Sequence, residues 1–270
     1  MQSIGIKPLV FDIKRGSTVD GPGIRTTVFF KGCNLDCFWC HNPESKSTRA
    51  QLGLLAEKCV GCGICRKVCE HPDGCVLCGN CAEYCPAEAR KLYGRRYSAD
   101  ELHRIILADR DYYLATGGGV TFSGGECMLY PEFLAELAEK CVRSGIPVAI
   151  DTAGNVPWAH FERIIPYADC FLYDLKALDP ELHRAGTGVG NALILENLDR
   201  LVQTGRSIMI RTPVIPGYND GDELERIGEY CAARGLSHEM LPYHAIGESK
   251  KAALQAAANS RVGPVLEADT

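Results

Sequence analysis

Two alternating patterns of apolar residues run along the second half of the chain. Short apolar runs predict six strands, at Thr26–Phe30, Val120–Ser123, Pro147–Asp151, Cys170–Asp174, Ile208–Pro213 and Glu239–Tyr243. Apolar residues at helical spacing predict helices over 99–115, 131–144, 157–165, 191–204 and 222–234. Repeated strand–helix units are typical of a parallel sheet. We therefore predict an α/β fold, a partial (β/α)6 barrel of parallel strands.

Each predicted strand ends in a polar or glycine-bearing signature. In parallel α/β barrels the active site forms at the C-terminal ends of the strands, so these signatures are candidate site residues. Any one of them alone would be interpreted as a cap or a turn. The signatures are Gly32-Cys33, Gly124-Gly125-Glu126, Asp151-Thr152, Asp174-Leu175-Lys176, Arg211 and His244.

Composition narrows the class of protein. The net charge of −5 argues against a broad nucleic-acid-binding face. No apolar run approaches the roughly 18 residues that a membrane span needs, and the first residues lack the pattern of a signal peptide. We expect a cytoplasmic protein with no nucleic-acid or membrane partner.

Cysteine is the unusual residue type. The chain has 15 cysteines, and most of them fall between Cys33 and Cys85. The cytosol keeps thiols reduced, and a secreted disulfide scaffold would be short and carry a signal peptide. The clustered cysteines are therefore interpreted as metal ligands.

The first cysteine group is Cys33-x3-Cys37-x2-Cys40. A [4Fe–4S] cluster normally takes four thiolates, so three on one loop leave one iron open to an exogenous ligand. An open coordination position is what a catalytic metal requires. A three-ligand zinc loop, or a fourth ligand elsewhere in the chain, remains an alternative.

The second group has the spacing of a bacterial two-cluster ferredoxin, in which the fourth cysteine of each run ligates the other cluster. This spacing predicts two further [4Fe–4S] clusters in a small ferredoxin-like insert at 53–92. Electron relay and a purely structural role both remain open. The predicted ligand sets are Cys59, Cys62, Cys65 and Cys85 for one cluster, and Cys75, Cys78, Cys81 and Cys69 for the other.

The segment Asp20-Gly-Pro-Gly-Ile-Arg25, the three-cysteine loop and the insert together resemble the glycyl radical enzyme activating enzymes of the radical SAM superfamily. The resemblance covers roughly residues 8–250. It implies that S-adenosylmethionine (SAM) chelates the open iron and is cleaved by one electron to a 5′-deoxyadenosyl radical. That radical would take a hydrogen from a backbone glycine of a partner glycyl radical enzyme, with a flavodoxin or ferredoxin type reductant in an anaerobic setting. The insert favours a diol, amino-alcohol, hydroxyproline, sulfonate or aromatic-acid lyase as partner.

The resemblance also implies residue roles. The turn Gly124-Gly125-Glu126 would meet the SAM amino group, and Trp39, Cys40 and His41 would lie at its adenine. Asp174, Leu175 and Lys176 would lie near SAM, with Arg211 at its carboxylate and His244 at its sugar or base. Asp151, Thr152 and Asp174 would hold a monovalent cation, and Asp20 would help to dock the target loop beside the catalytic cysteines.

Two other functions explain part of the pattern. A maturase-type radical SAM enzyme would keep the radical chemistry with another peptide target, although such enzymes tend to place auxiliary clusters toward the C-terminus. A ferredoxin-like electron carrier would leave the three-cysteine loop and the strand ends unused. The family pattern fades after Lys250. We thus expect a barrel start over 1–52, the insert over 53–92, the rest of the barrel over 93–250 and an atypical tail over 251–270.

Overall fold

The structure, a computed structural model, describes residues 7–71 and 74–259. Within these ranges the strands are β1 (Leu9–Ser17), β2 (Arg25–Phe30), β3 (Gln51–Leu54), β4 (Arg90–Tyr93), β5 (Arg95–Arg96), β6 (Gly119–Gly124), β7 (Val148–Thr152), β8 (Cys170–Asp174), β9 (Ser207–Val214) and β10 (Ser237–Pro242). The helices are α1 (Ile64–Lys67), α2 (Asn80–Glu83), α3 (Ala99–Leu107), α4 (Arg110–Thr116), α5 (Pro131–Arg143), α6 (Trp158–Ile164), α7 (Pro180–Thr187), α8 (Ala192–Val202), α9 (Asp222–Ala233) and α10 (Ile246–Asn259).

The main sheet has eight strands in the order β10-β9-β8-β7-β6-β2-β1-β5. The six strands from β10 to β2 are parallel, which confirms the predicted partial barrel. The sequence pattern missed β1 and β5, which add to one edge in antiparallel register. Strand β1 was not predicted because its buried side chains do not alternate with a period of two residues. Its pairing with β2 shifts register twice, which breaks that alternation.

The core lies between the outer face of the parallel strands and the helices that follow them. Val28, Phe122 and Ile150 are fully buried on three neighbouring strands. Leu137 of α5 and Phe161 of α6 pack into the same cluster. These elements form where apolar residues recur at the period of a strand or a helix, so burying the apolar face stabilises them together.

The predicted helix over 99–115 is two helices, α3 and α4, separated at Asp109. The Asp109 carboxylate is buried and accepts hydrogen bonds from Arg15 Nε at 2.8 Å and from Thr26 Oγ1 at 2.6 Å. Tyr113 in turn donates to Thr26 Oγ1 at 2.6 Å. A polar network between residues distant in sequence thus stabilises the break between α3 and α4. The helical spacing of apolar residues does not reveal such a network.

Helix α7 was also missed. The Asp179 side chain caps it by accepting from the backbone N–H groups of Glu181 and Leu182, and Pro180 occupies its first position. An aspartate followed by proline is a recognised helix start, so the signal was present in the sequence.

The segment predicted as a ferredoxin-like insert lies between β3 and β4, which pair with each other in an antiparallel two-stranded sheet. Between these strands, α1 and α2 each follow a glycine in the left-handed region, Gly63 and Gly79. Helix α1 contains Cys65 and α2 contains Cys81. The two cysteine runs thus lie in two similar turn–helix units.

Residues 251–259 of the expected atypical tail belong to α10, which packs on β3. The rest of that segment, 260–270, lies outside the described residues. Over the part of the chain that the structure describes, no helix is both long and apolar enough to cross a bilayer.

Replacing Asp109 with alanine should destabilise the fold by about 2 kcal/mol, because the buried Thr26 hydroxyl loses its acceptor and Arg15 loses its partner. Urea unfolding followed by circular dichroism measures the difference. Arg15 lowers the pKa of Asp109 below its usual value, so the carboxylate stabilises the fold above the ordinary aspartate pKa. The difference should therefore shrink as the pH falls through the lower folded-state pKa.

The matched control is Asp100→Ala, which removes an exposed carboxylate from an ion pair with Lys140. It should cost much less than loss of Asp109, because solvent screens an exposed ion pair. Equal losses for the two variants would contradict the structural role given to Asp109.

Candidate active site

A cavity of about 440 Å³ opens at the C-terminal ends of the parallel strands. Most of the predicted site residues line it, so the fold brings together signatures that are separated by up to 191 positions between Asp20 and Arg211. The predicted residues in its wall are Asp20, Cys33, Cys37, Trp39, Cys40, His41, Gly124, Gly125, Asp151, Thr152, Asp174, Lys176 and Arg211.

The three-cysteine loop leaves the end of β2 and is held by backbone hydrogen bonds on both sides. Cys33 N–H donates to the carbonyl of Lys46 at 3.2 Å, and Asp36 N–H donates to the carbonyl of Thr187 at 2.7 Å. All three thiols line the cavity. Burial raises the pKa of Cys33 to about 12 and also raises the pKa of Cys37 and Cys40. Thiolates here therefore require a compensating positive charge, such as bound iron provides.

The described residues contain no group of three or more His, Cys, Asp or Glu side chains converging as ligands of one metal ion. Cys33, Cys37 and Cys40 all line the cavity wall. A cluster of four irons offers separate corners to separate thiolates, whereas a single zinc ion needs them to converge. Three thiolates on one loop can therefore hold three corners of a cluster and leave its fourth corner open to a ligand.

Glycine is required at the turn that follows β6. Gly124 has a φ of +123°, and a Cβ there would lie 2.2 Å from the carbonyl oxygen of Phe30. A Cβ at Gly125 would lie 2.2 Å from the carbonyl oxygen of Gly32 and 3.0 Å from Cys33. The turn can therefore approach the cysteine loop only because both positions lack a side chain.

Glu126, predicted as a SAM contact, is not among the residues that line the cavity. It is fully buried and accepts from Thr152 Oγ1 at 2.8 Å, from Ala153 N–H at 3.0 Å and from Met128 N–H at 3.1 Å. Burial raises its pKa to about 7. Only the two glycines of this turn face the cavity, and Glu126 braces the turn against the end of β7.

Two ion pairs lie in the cavity wall. Lys176 Nζ lies 2.7 Å from Asp174 Oδ2, and Arg211 Nη1 lies 3.4 Å from Asp151 Oδ1. Ser123 Oγ donates to the other oxygen of Asp151 at 2.5 Å. Burial, together with the charge of Asp174, raises the pKa of Asp151 to about 6, although Arg211 opposes the shift.

Two buried nitrogen atoms in this cavity wall have no hydrogen-bond partner among the described residues, Arg211 Nε and His41 Nε2. Arg211 Nε forms a long ion pair with Glu239 Oε2 at 3.7 Å but donates no hydrogen bond within the described residues, so the wall is suited to a ligand that supplies acceptors. The carboxylate of an amino acid group and the nitrogens of a purine are such acceptors. The residues present therefore fit SAM beside the three thiols.

Trp39 lies under α7 with only 6% of its surface exposed. Its ring centroid lies 4.7 Å from that of Tyr218, and a Cβ at Gly186 would lie 2.7 Å from the Trp39 ring. Sequence reasoning missed both Tyr218 and Gly186. Their roles depend on the loop after β9 and on α7 meeting the cysteine loop.

Two further predicted residues do not line the cavity. Leu175 is fully buried in the core, because successive side chains alternate and its neighbours Asp174 and Lys176 face the cavity. His244 is exposed beyond the cavity wall, with its ring centroid 6.2 Å from that of His41. It lies at the rim of the site.

The segment Asp20–Arg25 contributes one carboxylate to the cavity wall and one buried arginine that holds the segment in place. Asp20 lines the cavity, and its carboxylate accepts from Ser17 Oγ at 2.5 Å and from Thr27 Oγ1 at 2.8 Å. Arg25 is buried and donates to Thr121 Oγ1 at 2.6 Å and to the carbonyl of Pro22 at 3.1 Å. Arg25 thus fixes the segment that presents Asp20.

The structure adds lining residues that the sequence did not single out. Phe11, Asp12 and Lys14 come from β1, and Lys250 comes from α10. The strand alternation that could have indicated β1 is broken by its register shifts, and α10 had no recognised signal.

The chain is similar to several known proteins. Residues 69–231 match the model of the radical SAM superfamily. The chain is 38% identical over 263 residues to the isethionate sulfite-lyase activating enzyme of Oleidesulfovibrio alaskensis, covering 90% of this chain and 85% of the relative. It is 40% identical over 263 residues to the trans-4-hydroxy-L-proline dehydratase activating enzyme of Clostridioides difficile, covering 91% and 87%.

Among solved structures, SuiB of Streptococcus suis bound to its precursor peptide SuiA is similar with a TM-score of 0.55 and 14% identity, covering 81% of this chain and 39% of that one. This likeness supports the fold alone. The family match covers more than half of the chain, and both relatives are at least 38% identical over at least 90% of it. The chain therefore belongs to the radical SAM superfamily and, within it, to the glycyl radical enzyme activating enzymes.

Proposed function

We propose that this enzyme binds SAM and a [4Fe–4S] cluster in the cavity, and activates a glycyl radical enzyme of the lyase or dehydratase kind. The observation that carries the proposal is that three cysteines, one buried and two partly buried, line one cavity together with two buried nitrogens that have no hydrogen-bond partner among the described residues, Arg211 Nε and His41 Nε2. The bound cluster and SAM supply one-electron chemistry, and the partner's glycine is the hydrogen donor.

The chain's own residues bind and orient. Cys33, Cys37 and Cys40 hold the cluster, and the backbone of Gly124 and Gly125 receives the SAM amino group. Arg211 pairs with the carboxylate. These groups lie on rigid strand ends and on a loop fixed by backbone hydrogen bonds, so little reorganisation accompanies binding.

The remaining wall residues complete the pocket for SAM. Trp39, supported by Tyr218, gives the adenine an aromatic surface, and burial under α7 excludes water there. Lys176 and Asp174 contact the ligand through polar groups, while His41 and His244 stand at its base and rim.

A monovalent cation is part of the proposal. It would lie between the carboxylates of Asp151 and Asp174, beside Thr152, all three of which line the cavity. The raised pKa of Asp151 reflects a buried carboxylate near another carboxylate, and a hard cation would favour its ionised form. The Thr152 hydroxyl itself is engaged, since it donates to Glu126 and accepts from Gly154 N–H.

Two auxiliary [4Fe–4S] clusters complete the proposed cofactor set, held by the cysteine runs in the two turn–helix units. Cys59, Cys62 and Cys78 are exposed, whereas Cys81 is buried against Leu52 and Ala257. Exposure of several ligands suits electron entry from a flavodoxin or ferredoxin type reductant. Electron relay and structural support both agree with this position.

Asp20 is proposed to dock the glycine-bearing loop of the partner. Its position in the cavity wall, held by Ser17 and Thr27, places a fixed carboxylate beside the space that the loop would enter. Glycine suits such a site because it has no side chain to exclude. The two relatives named above activate isethionate sulfite-lyase and trans-4-hydroxy-L-proline dehydratase, which makes both enzymes suitable test partners.

Cys33→Ala should abolish formation of 5′-deoxyadenosine, because the site cluster loses a ligand. The assay uses anaerobic protein reconstituted with iron and sulfide, with dithionite and SAM. Cys231→Ala, a buried cysteine in α9, is the control and should behave as the parent does. A Cys33→Ala protein as productive as the parent would refute the assignment of the site.

Asp20→Ala should separate cleavage from activation. Without a partner, 5′-deoxyadenosine formation should stay within about twofold of the parent, whereas the glycyl radical signal on a test partner should fall by on the order of tenfold. Electron paramagnetic resonance measures the signal. The exposed Asp220→Ala is the control. Equal loss in both assays would place Asp20 in SAM binding rather than docking.

Iron content tests the auxiliary clusters. The reconstituted parent should carry about twelve irons per chain, which is three four-iron clusters. Joint replacement of Cys75, Cys78 and Cys81 by serine should remove about four irons and leave SAM cleavage by dithionite measurable. An unchanged iron content would show that these cysteines bind no cluster.

A further inference from the structure

Helix α10 runs from the cysteine loop to the insert along one of its faces. Gly247, Lys250 and Ala257 share this face, since their spacings of three and seven residues correspond to whole turns. At 1.5 Å of rise per residue, the ten residues from Gly247 to Ala257 span about 15 Å. The far end of the face packs with Leu52 and Cys81 of the insert. One helix thus contacts both cysteine regions.

At the near end the helix backbone lies against the third cysteine of the site. A Cβ built at Gly247 would lie 2.1 Å from the carbonyl oxygen of Cys40 and 3.2 Å from Cα of His41. The neighbouring atoms are backbone, so they do not rotate away as a side chain would. Glycine at this position permits the contact between α10 and Cys40.

Lys250 adds a polar link one turn further along. Its Nζ lies 2.9 Å from Glu44 Oε1 and 2.7 Å from Asn42 Oδ1. Glu44 is only 2% exposed, and its other oxygen, Oε2, has no hydrogen-bond partner among the described residues. The buried carboxylate therefore relies strongly on the charge of Lys250.

The segment between these contacts is also held from its other side. Lys31, at the end of β2, is fully buried and its Nζ donates to the backbone carbonyl of Glu44 and to Gln51 Oε1, the latter at 2.9 Å. Residues 42–44 thus lie between a lysine from the barrel and a lysine from α10.

We infer that Lys250 is a positioning residue of the SAM site. Through Glu44 and Asn42 it holds the segment that follows Cys40, and so fixes where the third thiol and His41 face the cavity. Because α10 also packs on the insert, this contact joins the insert mechanically to the site. The inference rests on the proposed function, since it assigns the cluster and SAM to this cavity.

A direct role is the competing explanation, because Lys250 also lines the cavity. The two roles differ in their dependence on Glu44. A positioning lysine acts through its partner, so Glu44→Gln should reproduce the effect of Lys250→Met, and the double variant should be no worse than Lys250→Met alone. A lysine that contacts SAM would act independently of Glu44.

The experiment uses the intact chain, reconstituted with iron and sulfide and reduced anaerobically. SAM is titrated while the change that it causes in the electron paramagnetic resonance spectrum is recorded. The difference spectrum isolates the site cluster, because only that cluster binds SAM in the proposal. Lys250→Met and Glu44→Gln should each weaken apparent SAM binding by on the order of tenfold or more. Lys250→Arg should restore binding, and the exposed Lys251→Met should match the parent.

A second pair of variants keeps the test valid if Lys250→Met folds poorly. Gly247→Ala forces a Cβ against Cys40, whereas Gly228→Ala in α9 adds a Cβ with no atom within 4 Å. Alanine favours a helix over glycine, so Gly228→Ala should be neutral or stabilising. Gly247→Ala should weaken SAM binding by on the order of tenfold, as loss of Lys250 does.

Three results would overturn the inference. In the first, Lys250→Met and Gly247→Ala bind SAM as the parent does. In the second, Lys250→Met weakens binding while Glu44→Gln does not, which would assign Lys250 to the ligand itself. In the third, the parent shows no SAM-dependent change despite full iron loading, which would refute the proposed function and this inference together. A normal parent with unaffected variants would refute the inference alone.

Discussion

The partial or full burial of three thiols on the loop after β2 is the constraint on which the site depends. Burial raises the pKa of each, that of Cys33 to about 12, so the thiolates that bind iron form only where positive charge offsets the lost solvation. The protein supplies part of that charge, since Lys176 and Lys46 both act to lower the pKa of Cys37 and Cys40. Bound iron would supply the rest.

The elements around the three-cysteine loop pack closely against it and exclude solvent. Gly124 and Gly125 bring a backbone turn to within contact of Cys33, where a side chain would collide. Gly186 does the same for Trp39, and Gly247 for Cys40. Glycine recurs wherever a separate element meets this loop, because bare backbone can approach closely and still present its polar groups to a ligand.

The charged wall is balanced in a way that leaves room for a ligand. Asp151 and Asp174 each form an ion pair with a positively charged side chain. Arg211 Nε and His41 Nε2 nevertheless have no hydrogen-bond partner among the described residues. A site that was fully satisfied internally would gain less from binding. The charged side chains of the cavity wall are thus paired with one another, while some of their hydrogen-bonding groups are still available to a ligand. This combination is typical of a preorganised binding site.

The sequence by itself determined the parallel strands, the cysteine spacings and the polar strand ends, because periodicity, thiol spacing and glycine requirements are local. It predicted Asp151, Asp174, Lys176 and Arg211 at one cavity, since the ends of parallel strands meet at one edge. Only the tertiary structure decided the rest. It turned Glu126 and Leu175 away from the cavity, divided a predicted helix at Asp109 through contacts with Arg15 and Thr26, and placed α10 and Lys250 against Glu44. These features depend on contacts between residues that are distant along the chain, or on the direction in which a side chain points. Neither produces a periodic pattern of apolar residues that could be recognised in the sequence.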